Sequence, residues 1–126
     1  MSTPPNSASI LQTAFSFWGS KVLLTAVELG LFTTLSGHRL TGTELGRALQ
    51  LHPRANPDFF DALVAMKFLD REGDGPESQY FNTLEGAMFL DAASPRYIGG
   101  ILVMLNARLF KFWNDLPEAL RTGRPQ

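Results

Sequence analysis

The chain has 126 residues, 44% of them hydrophobic and 18% charged, with a net charge of −1 and no cysteine. That length supports one domain with a real core, and so thin a charge supply implies that apolar surface left after folding is covered by a partner rather than by water. Disulfides, thiolate nucleophiles and cysteine-type zinc sites are excluded, and eleven Lys and Arg against twelve Asp and Glu give no basic excess to attract nucleic acid or anionic lipid.

Residues 1–8 read as a disordered lead-in without the basic start of a signal peptide. No uninterrupted apolar run approaches the roughly 18 residues of a membrane span, so a soluble, cytoplasmic protein with no membrane partner is expected. From Ile10 to Leu29 the pattern is helical, with apolar residues on every side rather than in one stripe. Such a helix must be buried all round. Two readings stand: a central core helix, or one exchanged with or packed on a second subunit. The second is favoured, because an N-terminal helix of a small domain is hard to wrap. It makes Phe15, Phe17, Trp18, Val22, Leu23 and Val27 the candidate dimer interface.

Gly30 suits the C-cap of this helix, and Leu31 to Leu35 adds a short turn. Thr41-Gly42-Thr43-Glu44 has the form of a capping box and opens a helix to about Leu49. Asn56-Pro57-Asp58 repeats the logic, with Asn as N-cap and Pro at N1, and predicts a helix to about Phe68 with Phe59, Leu63 and Met66 inward. Leu69 to Glu72 and Gln79 to Asn82 flank Gly73-Asp74-Gly75-Pro76-Glu77-Ser78 as a hairpin. Two short helices followed by a hairpin make a winged helix-turn-helix. The fold class expected is therefore mainly α, a winged helix with a small β-hairpin and long flanking helices that dimerise. Thr83 caps a short helix from Leu84 to Leu90. Ser94-Pro95 opens the longest helix, ending near Leu116-Pro117, and Glu118 to Arg121 adds a turn stopped by Gly123.

Advancing about 100° per residue from Ile98 collects Ile101, Leu102, Leu105, Leu109, Phe112, Trp113 and Leu116 into a core stripe. Beside it lies a second cluster, Val103, Asn106 and Phe110, adjoining Trp113. An aromatic wall with one amide suits a hydroxylated aromatic ligand, and these four residues are the candidate substrate lining. The alternative is that Val103 and Phe110 pack on a neighbouring domain and Asn106 is simply exposed.

A winged helix first suggests DNA, whose grooves favour Arg, Lys, Asn or Gln on the recognition helix. Here that helix offers Asp58 and Asp61 with a lone Lys67, and the wing carries Asp74 and Glu77. Arg54 and Arg71 do not offset carboxylates facing phosphate. A structural use of the motif is expected, with no nucleic-acid partner.

The strings Ala26-Val27-Glu28-Leu29-Gly30-Leu31-Phe32, Leu40-Thr41 with Glu44-Leu45, Leu63-Val64-Ala65-Met66-Lys67-Phe68-Leu69, Tyr80-Phe81-Asn82-Thr83 and Trp113 to Gly123 together resemble one family. It is the N-terminal dimerisation domain of S-adenosylmethionine-dependent O-methyltransferases, the group shared by plant phenolic and bacterial natural-product enzymes. The resemblance covers nearly everything after the first eight residues. It implies a homodimer through exchanged N-terminal helices. It also implies a following Rossmann-like domain holding the methyl donor and a catalytic base, usually His, and an acceptor pocket lined by the helix matching Tyr97 to Leu116. Phe15, Phe17 and Trp18 are then the residues that could reach the partner's pocket.

The donor domain itself has no counterpart in this sequence. Gly99-Gly100 lies in a predicted helix, His38 and His52 read as loop residues, and Asp70 and Glu72 belong to a solvated strand edge. No catalytic, cofactor-binding or metal-binding residue is assigned. The expected division is residues 9–121 as the dimerisation domain and 122–126 as the start of a linker. The expected function is dimerisation and acceptor lining in an O-methyltransferase for a hydroxylated aromatic or polyketide-type molecule, with S-adenosylmethionine bound elsewhere in the parent and this chain inert alone. Rival readings are a stand-alone non-catalytic partner or regulator of a methyltransferase and, third, a winged-helix DNA-binding regulator.

Overall fold

The computed structural model describes residues 4–54, 56–109 and 113–123. It is mainly helical, with a small antiparallel sheet. Helix α1 (Ala8–Glu28) ends where Gly30 takes a left-handed φ of 73°, a conformation that an L side chain resists. The short α2 (Leu31–Thr34) follows and drops Leu31, Phe32 and then Leu35 into the core. At Thr41 the capping box forms in full: the Glu44 amide donates to Thr41 Oγ1 at 3.2 Å and the Thr41 amide donates to Glu44 Oε1 at 2.9 Å. These bonds start α3 (Gly42–Ala48).

Helix α4 (Asn56–Ala65) stops earlier than the predicted Phe68. Lys67 adopts φ 67°, and the Phe68 amide donates back to the Leu63 carbonyl at 3.1 Å. That closure satisfies the last carbonyls and turns the chain into a strand. Strands β2 (Leu69–Glu72) and β3 (Gln79–Asn82) pair as predicted, joined by a 3₁₀ turn over Gly75–Glu77. A third strand, β1 (Leu40–Thr41), lies on the far edge of β3 with Leu40 opposite Tyr80, which the sequence reading did not anticipate.

Thr83 Oγ1 accepts from the Gly86 amide and starts α5 (Leu84–Phe89). Gly86 is buried against β2's approach: a Cβ there would sit 2.6 Å from the Phe68 carbonyl oxygen. The fully buried side chains Phe32, Phe60, Leu31, Leu35, Leu45, Leu63 and Leu69 form one core shared by α2 to α4 and the sheet. Only the last third of α1 joins it, through Leu24, Ala26 and Val27.

The C-terminal region differs from the single long helix predicted. Residues 94–98 form turns: Ser94 Oγ donates to the Met88 carbonyl at 2.6 Å, and the Ile98 amide donates to Phe89 at 2.9 Å. Helix α6 (Gly99–Met104) begins after them and relaxes into a π-helical segment, Leu105–Leu109. A 3₁₀ turn at Trp113–Asp115 leads to α7 (Leu116–Thr122). Pro117 therefore sits in the first turn of a helix, where its missing N–H costs nothing, instead of ending one. Gly123, at φ 67°, closes α7.

Of the stripe expected to be core, Ile98, Ile101, Trp113 and Leu116 are exposed, Leu105 is half-buried and Leu102 packs on the core, while Phe112 and the side chain of Leu109 lie outside what is described. Averaged over an 18-residue window, α1 reaches a mean hydropathy of 1.2, long and apolar enough by length and composition to cross a membrane. No uninterrupted apolar run shows this, because Ser16, Ser20 and Lys21 are scattered among large hydrophobics.

Candidate functional site

The first half of α1 carries a run of large apolar side chains left exposed. Phe15 is 47% exposed and Trp18 58%, with Ile10, Leu11 and Phe17 also bare. Phe15 stacks on Trp18 with ring centroids 4.8 Å apart, and Phe17 meets the same indole edge-on at 5.6 Å. The rings are thus ordered by one another along a helix turn, not by the core. Of the six predicted interface residues, Phe15, Phe17 and Trp18 stand on this open face. Val22 and Leu23 are half-buried against the core, and Val27 is a correction: it is buried inside its own chain, since α1 dips into the core in its last two turns.

Two grooves flank the aromatic ladder. One, of about 470 Å³, lies between Phe17, Trp18, Val22 and Phe59. The other, of about 460 Å³, runs between α1 and the C-terminal segment and is lined by Ser16, Phe17, Ser20, Leu24, Leu105 and Trp113. Phe17, read as an interface residue, and Trp113, read as a ligand wall, therefore face the same space.

The predicted ligand wall is only partly assembled. Trp113 is 66% exposed and Val103 is exposed, while Phe110 lies outside the described residues. Asn106 is neither exposed nor free to meet a ligand, being 7% accessible and held by α1. Its Oδ1 accepts from Lys21 Nζ, and its Nδ2 donates to Glu28 Oε2 at 3.3 Å. Lys21 and Glu28 escaped the sequence reading, yet a signal was present. They are the only charged residues of α1, spaced by seven and hence on one face. Asn106 also falls within the π-helical segment, whose wider turn is a recurrent feature of functional helices.

Elsewhere, polar groups tie α4 to the sheet. The Tyr80 hydroxyl donates to Asp61 Oδ1 at 2.7 Å, and Arg71 Nη1 donates to the same carboxylate at 3.2 Å. Burial, then the hydrogen bond and charge of Asp61, push the Tyr80 phenol up to about 12 from 10.0, with Arg71 opposing. Asp61, one of the acids read as repelling DNA, is thus bound up internally. The Glu44 carboxyl is held below its ordinary value by the Thr41 amide and then by the Thr41 hydroxyl. His52 Nδ1 accepts from the Arg54 amide at 3.2 Å. Among the described residues, no three His, Asp or Glu side chains converge as a metal ion would require.

Comparison with known proteins puts this geometry in context. A model of the O-methyltransferase dimerisation domain matches residues 11–92. The tetracenomycin polyketide synthesis 8-O-methyl transferase TcmO of Streptomyces glaucescens is 45% identical over 117 residues, 93% of this chain and 34% of that protein. The N,N-dimethyltransferase OxyT of Streptomyces rimosus is 34% identical across 91% of this chain and 32% of its own length. Among solved structures, human N-acetylserotonin methyltransferase in complex with SAM superposes with a TM-score of 0.88 at 27% identity, covering 100% of this chain and 38% of that one. The chain spans about a third of the length of the curated relatives it matches.

Proposed function

Since the chain belongs to the O-methyltransferase dimerisation-domain family, we propose that it is the dimerising and acceptor-lining part of an S-adenosylmethionine-dependent O-methyltransferase. Its α3, α4 and sheet act as a winged helix put to structural use, with β1 as the third strand. The acceptor is a hydroxylated aromatic or polyketide-type small molecule. Oxygen is preferred over nitrogen as the methylated atom because the 45% relative is an 8-O-methyl transferase, whereas the nitrogen-methylating OxyT is at 34%. The donor and the base belong to the length that the relatives have beyond this match. The chain alone is inert and contributes shape and exclusion of water around the acceptor.

The observation that carries this reading is the exposed ladder of Phe15, Phe17 and Trp18. A contiguous aromatic patch of this kind is the signature of a partner surface. A second copy of the same chain covers it more economically than a bilayer does. From Lys21 onward α1 is held by Asn106 and the core, which leaves residues 8–20, only ~20 Å of helix against a hydrocarbon thickness of about 30 Å.

Sedimentation velocity at micromolar concentration tests the reading. The expected result is a dimer, with Trp18→Ala weakening association by about 30-fold, the equivalent of about 2 kcal/mol for a central aromatic anchor. A well-folded monomer at that concentration overturns it.

A further inference from the structure

A cavity of about 410 Å³ opens between α3, α4 and the hairpin turn, and it shares no residue with the grooves along α1. Its apolar walls come from Leu51 and from Pro53, Pro57 and Pro76, and the proline rings are rigid and lose little freedom when covered. Its charged lining is Arg47, Arg71 and Asp61, an excess of one positive charge.

The three charges are not equivalent. Asp61 is committed to the Tyr80 hydroxyl and to Arg71. Arg71 is locked in place: Nε donates to Ser78 Oγ at 2.7 Å and Nη2 to the Gly75 carbonyl at 3.3 Å, besides the two contacts with Asp61. Ser78 is itself buried and donates to the same Gly75 carbonyl at 2.8 Å. A guanidinium has five N–H groups, and Nη2 makes one contact with its two, so it keeps an N–H to spare. The Arg47 guanidinium makes no ion pair or hydrogen bond among the described residues.

A preset guanidinium and an uncommitted one over proline-walled space make a selective arrangement. We propose that this cavity binds a small organic anion, its apolar body against Leu51 and the prolines and its acid group on Arg47 and the spare N–H of Arg71. The volume suits a metabolite of one or two rings. Asp61 together with the buried Ser78 and Tyr80 fixes Arg71 in advance, so binding orders mainly Arg47.

The test uses the ¹⁵N-labelled 126-residue chain and naphthalene-2-sulfonate, which stays anionic at every working pH. Saturable amide shifts at Gly42, Thr43, Gly75 and Ser78 are expected. Arg47→Gln, at an exposed position outside the core, weakens them about fivefold, as loss of one partly exposed ion pair predicts. Equal affinity for neutral naphthalen-2-ol would overturn the anion assignment, and equal affinity for inorganic phosphate would overturn the apolar one. Shifts confined to Ser16, Ser20 and Asn114 would place the probe in the α1 groove and refute this site while leaving the proposed function intact.

Discussion

The region from Leu31 to Leu90 and the helices flanking it are built on opposite terms. In the first, Phe32, Phe60, Leu45 and Leu63 are sealed off, and its turns are capped by Thr41, Lys67 and Thr83. In the second, Phe15, Trp18, Ile101 and Trp113 are bare, and the C-terminal backbone passes from α- to π- to 3₁₀-helix. One half is finished as a monomer. The other has its apolar groups in place and lacks the surface they would cover. Stability and assembly are therefore separable in this chain, each with its own residues.

The sharpest way to break the comparison is inside the finished half. Phe60→Ala removes a fully buried ring that sits 5.3 Å from Tyr80, and should cost about 3–5 kcal/mol in chemical denaturation. In a concentration series the loss should appear even at dilutions where Trp18→Ala has no effect on unfolding. A smaller effect, about 1 kcal/mol, is expected for Thr41→Ala, which dismantles the capping box of α3. Thermal melts would detect it, and an unchanged midpoint would show that β1 pairing alone holds the start of α3. The last test, on Tyr80, reads the shape of the pH dependence and not its size at neutral pH. Its folded pKa lies above its unfolded value, so its contribution is fully present below pH 10 and is lost between pH 10 and about 12. Tyr80→Phe should flatten the decline of stability across that window, measured by urea titration, and leave the α1 surface untouched.

Elements whose cause is local were legible in the sequence. The capping box, the hairpin and the span of α1 follow from side chains acting on backbone within a few residues. The end of α4 was misplaced because Lys67, an ordinary helix former, takes the left-handed position that glycine usually occupies. The start of α6 was set too early because the Ser94 hydroxyl and the Ile98 amide fold back onto Met88 and Phe89, a tertiary choice that periodicity does not record. The candidate surface was half legible. The aromatic excess of α1 was visible as composition, but which turns enter the core is decided by the Gly30 corner and α2. Asn106 was singled out as polar among apolar neighbours, while its partners lie about eighty residues earlier, beyond any local pattern.

Lys21, Asn106 and Glu28 together fix how far α1 and the C-terminal helix can slide along each other. Displace either helix by one turn and a shielded amide would face hydrocarbon with neither its cation nor its anion, a costly mismatch for so small a shift. The trio works like a tooth in a ratchet. It keeps Phe17 level with Leu105, so whatever enters the groove they line meets walls of constant height.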